Sequence, residues 1–151
     1  MYKYALPVLG LCLWTGVVGS KSATYESIQV TEVTSIYYGD TFKVNIEGYP
    51  AIVGEKMPVR IWGVDTPEIR RPKCEEEKQA ARSAKQFTVQ WIRDHEKQGI
   101  TLSRVLRGKY FRFIATVTSD GENLGQLLID NGHGVAYYGG TRIDWCKILK
   151  S

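Results

Sequence analysis

Apolar and polar residues alternate through the first part of the chain and then change to a helical period. Ile28, Val30, Val33 and Ile36 alternate loosely with polar neighbours between Tyr25 and Tyr37, predicting a twisted first strand. After a turn at Gly39-Asp40, Thr41 to Ile46 alternates cleanly as a second strand, and Val59 to Val64 predicts a third. Beyond Pro72 the spacing becomes helical: Ala80, Ala84, Phe87 and Trp91 recur with Ala81, Thr88 and Ile92 beside them. Glu75-Glu76-Glu77 puts acid in that helix's first turn, where the macrodipole favours it, and Gly99 should follow its end near Lys97. Ile100 to Leu106 predicts a fourth strand, Arg107-Gly108-Lys109 a turn, and Tyr110 to Thr118 a fifth strand. Asp120-Gly121 is a tight-turn signal, and Asn123 can cap a short helix from Leu124 to Ile129. The Gly- and Tyr-rich end has at most a turn of helix around Trp145. This order predicts an α+β fold: a five-stranded OB-type barrel, with a long helix between strands three and four and a short one after strand five.

The N-terminus reads differently. Lys3 precedes an uncharged, mostly apolar run from Ala5 to Val18, followed by the small residues Gly19 and Ser20. Residues 1–19 are therefore expected to be a secretory signal, the alternative being a retained anchor, and 20–151 one domain. That implies a periplasmic or secreted product with no stable membrane association after processing, and a monomer by default. The composition of the whole chain is that of a globular protein, 43% hydrophobic and 24% charged, which excludes disorder. A net charge of +4 suits a polyanionic partner without establishing one. Export also changes how cysteines are read: without Cys12, Cys74 and Cys146 are an even pair in an oxidising compartment. A disulfide is expected, with two unpaired thiols as the alternative. His95 and His133 lie at no ligand-like spacing to them, which disfavours a zinc site.

The candidate chemistry gathers at strand ends. Arg60, Asp65 and Glu68 fall within nine residues, and Pro67 keeps Thr66 out of helix, fixing a bend at the end of strand three. Asp40 begins strand two, and Arg112 sits in strand five after Lys109 and Tyr110. On a shared barrel rim Asp40 and Asp65 would repel one another unless a divalent cation lay between them. Ca²⁺ prefers such hard oxygen ligands. Arginine suits phosphate because its planar fork makes two parallel hydrogen bonds. The plainer alternative is a charged surface loop with an ion pair.

Tyr38-Gly39-Asp40-Thr41, then Arg60 with Val64-Asp65-Thr66-Pro67-Glu68, then Lys109-Tyr110-Phe111-Arg112, resemble in order the motifs of the thermonuclease family, typified by staphylococcal nuclease. The resemblance spans roughly Ile28 to Tyr138. It implies that Asp40, Asp65 and the Thr66 carbonyl bind Ca²⁺, that Glu68 is the general base or orders the attacking water, and that Arg60 and Arg112 hold the scissile phosphate. It also implies that Lys109, Tyr110 and Tyr138 contact a terminal phosphate and stack on a base. The implied activity is Ca²⁺-dependent hydrolysis of DNA and RNA with low sequence specificity, leaving 3′-phosphate ends. A non-catalytic OB-fold nucleic-acid-binding module is the alternative.

The sequence departs from the family at three places. Tyr38 replaces a usual aspartate, which should lower metal affinity, and Phe111 replaces the glycine usual before the catalytic arginine. The type member's long C-terminal helix has no counterpart after Trp145, and the cysteine pair is expected to fasten this tail to the long helix instead.

Overall fold

The computed structural model describes residues 25–150. The apolar leader expected over residues 1–19 lies outside them. The fold is α+β, built on a mixed, curled sheet. Strands β1 (Ile28–Val30) and β2 (Glu32–Tyr38) are followed by β3 (Thr41–Asn45), a single turn of helix α1 (Ala51–Gly54), β4 (Met57–Ile61) and β5 (Gly63–Asp65). The long helix α2 (Glu75–His95) precedes β6 (Ile100–Gly108) and β7 (Arg112–Ser119). A two-residue β8 (Glu122–Asn123), α3 (Leu124–Asp130), β9 (Val135–Tyr137) and α4 (Trp145–Leu149) complete it.

The main sheet runs β1-β6-β7-β4-β3-β2, with β8 on β7, while β5 and β9 form a separate ribbon. Neighbours pair antiparallel except β4 and β7, which are parallel. Only Thr31 separates β1 from β2, although they lie at opposite ends of this path. One stretch of chain thus serves both ends and curls the sheet back on itself. At the break, the Thr31 amide and hydroxyl both donate to the Asn45 carbonyl, at 2.9 Å each.

The single strands expected over Tyr25 to Tyr37 and Val59 to Val64 are each two. The second divides at Trp62-Gly63, where Gly63 takes φ +83°. A side chain there would be strained, and its Cβ would press on the Tyr138 ring at 3.3 Å. The β6–β7 turn falls later than expected, at Lys109–Phe111, because the pairing runs on to Gly108 opposite Arg112. Asn123 caps α3 by accepting the Gln126 amide at 3.2 Å.

Phe42, Val44, Val59, Ile61, Leu102, Val105, Ala115 and Val117 point inward from β3, β4, β6 and β7 and form the core. Alternation sends Lys43, Arg60 and Ile114 to the opposite face. On α2 the buried stripe is Glu77, Ala81, Ala84, Thr88, Trp91 and Ile92, so Ala80 and Phe87 lie on its flank rather than at its centre. This helix presses on the β2–β3 turn. A Cβ on Gly39 would sit 2.8 Å from that of Ala84, and the Thr88 hydroxyl donates to the Gly39 carbonyl at 2.6 Å. The residue before Asp40 is thereby clamped against the helix.

Candidate active site

Asp40 follows that clamped turn, and Asp65 ends β5, whose pairing partner is Val135 of β9. Both carboxylates are buried. Burial on that scale is tolerable only with partners. A terminal nitrogen of Arg60 lies 3.1 Å from Asp40 Oδ2 and 2.8 Å from Asp65 Oδ1, so one guanidinium bridges both acids. Asp40 also accepts from the Thr41 hydroxyl at 2.8 Å and the Thr66 amide at 3.3 Å. Burial still pushes the Asp40 carboxyl above its ordinary range, against the downward pull of Arg60. Arg60 reaches this position because β4 pairs it with Thr41 on one side and Ile114 on the other. The Tyr137 ring covers its guanidinium at 5.8 Å.

A cleft of about 350 Å³ opens over these groups, lined among others by Tyr38, Asp40, Thr41, Arg60, Glu68 and Arg112. The half-buried Arg112 begins β7. Burial, then the positive charge of Arg60, lowers its pKa from the ordinary arginine value. Its Nε is buried with no protein partner among the described residues, as is the Thr66 hydroxyl. Both are polar atoms with unfilled hydrogen-bonding capacity at one site.

Glu68 borders the cleft on a loop fastened to the start of α2. The buried Glu77 carboxylate accepts the amides of Glu68 at 3.2 Å and Lys73 at 2.7 Å, while Glu68 itself accepts the Arg70 amide at 2.9 Å. Glu77→Ala should therefore cost about 1–3 kcal/mol and speed amide exchange at Glu68 and Lys73. An unchanged denaturation midpoint would show that the loop holds itself.

A second cleft of about 380 Å³ shares Arg60, Arg112 and Tyr137 with the first and continues to Lys109 and Tyr138. Tyr138 is 69% exposed and meets Trp62 edge-on at 5.7 Å. Tyr110 lines neither cleft and is 88% exposed. It and Phe111 take φ +61° and +53°, left-handed values that a glycine at 111 would adopt more easily. Arg107 packs over the Phe111 ring at 4.9 Å. The structure thus groups Asp40, Arg60, Thr66, Glu68 and Arg112 about one cleft, keeps Asp65 fully buried against Arg60 and out of the cleft lining, puts Lys109 and Tyr138 along the next, and leaves Tyr110 outside both.

Residues 58–144, more than half of the chain, match the family described as Staphylococcal nuclease homologue. The chain belongs to that family. No curated protein matches it. The staphylococcal nuclease homologue match spans Arg60 to Glu68 and Arg112, and begins after Asp40.

The donor set fits the Ca²⁺ that this family implies. Two buried carboxylates, the Thr66 carbonyl and the unpartnered Thr66 hydroxyl are hard oxygen donors, with no nitrogen or sulfur among them. The cluster of Cys74, Glu77 and Cys146 is no rival site, because its sulfurs are joined in a disulfide and offer no thiolate. That bond fastens the start of α2 to the start of α4.

Sequence reasoning missed Arg142, Trp145 and Tyr137. Arg142 Nε lies 2.8 Å from Asp65 Oδ1 and its terminal nitrogen donates to the Thr66 carbonyl at 3.1 Å. The Trp145 indole donates to Asp65 Oδ2 at 3.3 Å. The available signal was slight: one arginine between Gly139-Gly140 and Trp145-Cys146, in a tail the cysteine could pin.

Proposed function

We propose that this chain is an exported, monomeric, Ca²⁺-dependent nuclease on an OB-type barrel. It hydrolyses phosphodiester bonds of DNA and RNA with little sequence preference and leaves 3′-phosphate ends. The observation that carries this reading is the gathering of Asp40, Arg60, Glu68 and Arg112 along one cleft, with the buried Asp65 bonded to Arg60 behind them, in a member of this family. The disulfide is compatible with an extracellular setting, and no helix among the described residues is long and apolar enough to cross a membrane.

Asp40, Asp65 and the Thr66 carbonyl would hold Ca²⁺, which when bound would polarise a phosphate oxygen and offset its charge. Arg112, with its Nε unengaged, would take the phosphate through its fork, and Arg60 would stabilise the charge that grows on attack. Glu68 would orient the water and receive its proton. Lys109 would contact a terminal phosphate, and Tyr138 would stack on a base along the second cleft, where stacking tolerates any base. Tyr110, outside both clefts, would act only on a ligand extending past the rim.

The test is incubation of the purified protein with DNA and with RNA in Ca²⁺, then with a chelator. Degradation that the chelator stops is expected. Single-strand binding with no cleavage under any condition would instead identify a non-catalytic binding module.

A further inference from the structure

Arg142 has no part in that mechanism, yet it touches two of the three proposed metal ligands. Its Nε takes Asp65 Oδ1 at 2.8 Å, the oxygen that Arg60 also holds at 2.8 Å, and its terminal nitrogen takes the Thr66 carbonyl at 3.1 Å. A planar fork spanning a carboxylate and a carbonyl engages the donors a divalent cation would need. Charge agrees with geometry. Counted as ionised, Asp40 and Asp65 carry two negative charges, and Arg60 and Arg142 supply two positive ones in direct contact with them.

The two guanidiniums differ in freedom. The Arg60 side chain is 16% exposed, anchored in β4 and bound to both acids, whereas that of Arg142 is 44% exposed and lies in the tail between β9 and α4. Of the two, Arg142 is the one with an open path toward water. The tail nonetheless keeps Arg142 close. The Tyr137 hydroxyl donates to the Gly140 carbonyl at 2.9 Å before it, and Trp145 is buried beyond it with Cys146 bonded to Cys74.

We propose that Arg142 is a built-in counter-cation, holding Asp65 and the Thr66 carbonyl in place in the metal-free protein and being displaced when the divalent cation binds. It is a positioning residue that sets metal affinity. The tail tether keeps it at high local concentration, so metal must compete with a group that never diffuses away. The inference rests on the assignment of Asp40, Asp65 and Thr66 as metal ligands, but not on cleavage.

The experiment compares the full disulfide-bonded chain with R142A and R142K, each first stripped by chelator. Melting is followed without metal, and binding is measured by calorimetry with Ca²⁺ and by tryptophan-sensitised luminescence of Tb³⁺. R142A should melt lower without metal and bind Ca²⁺ more tightly, on the order of tenfold. R142K keeps the charge but not the fork and should fall between, which also serves if R142A folds poorly. Unchanged or weaker Ca²⁺ binding in both variants overturns the proposal. Absence of Ca²⁺ binding in all three proteins overturns it together with the metal assignment. Tighter binding by R142A in a protein that cuts no nucleic acid upholds it and removes the nuclease reading alone.

Discussion

Arg60→Ala should lose phosphodiesterase activity by on the order of 10²-fold or more and also lower stability by about 3–5 kcal/mol. The two losses have one origin. Arg60 bridges Asp40 and Asp65 at 3.1 and 2.8 Å, and both carboxylates are so nearly buried that water cannot replace its charge. Removing the cation leaves Asp40 with only neutral donors and Asp65 with Arg142 and Trp145. Stability should be measured by urea unfolding without metal, and rate on a single-stranded oligonucleotide at saturating Ca²⁺. Added Ca²⁺ should recover much of the lost stability, because it supplies the charge, but not the rate, because it cannot contact the phosphate as guanidinium does. Arg60→Lys should keep more stability than Arg60→Ala and little more activity, since a point charge lacks the fork. Recovery of both quantities by metal would mean that Arg60 serves the acids alone.

Replacing both Cys74 and Cys146 with serine should cost about 4 kcal/mol in the chain-entropy model for a span of this size. The bonded residues are 72 positions apart and enclose all of α2, β6, β7 and α3. A loss of that size is a large part of a typical domain's stability. The effect should not be uniform. The bond lies next to Trp145 and four residues from Arg142, so its loss should first free the tail from Asp65. The indole N–H resonance of Trp145 should then shift at a lower denaturant concentration than the far-UV signal of the sheet. Coincident transitions at the wild-type midpoint would show that packing alone keeps the tail in place.

The part of this site legible in the sequence was the part written in short, punctuated segments. Asp65-Thr66-Pro67-Glu68 carries its geometry locally, because proline restricts the backbone there, and Gly39 marks the turn before Asp40 by carrying no side chain. Arg60 and Arg112 follow from strand alternation once the strands are placed. The rest depends on encounters that no local rule encodes. Arg142 meets Thr66 across 76 positions, and Trp145 meets Asp65 across 80, both through a tail with no period. Strands of two or three residues, such as β8 and β9, are too short to show alternation. Tyr110 illustrates a different limit. Its place in the motif was evident, but the left-handed φ values at 110 and 111 decide where the ring goes. The breaks at Thr31 and Trp62-Gly63 leave only a one-residue slip in the apolar spacing, from Val30 to Val33 and from Ile61 to Val64, and a bulge within one strand would leave the same slip.

The continuity of β1 and β2 through Thr31 also bears on how copies of the molecule meet. An open sheet presents two unpaired margins to any passing extended chain. Here one margin is the three-residue Ile28–Val30, and the other, Glu32–Tyr38, packs against α2. Neither is a good template for strand addition, so crowding should not drive these molecules to associate edge to edge.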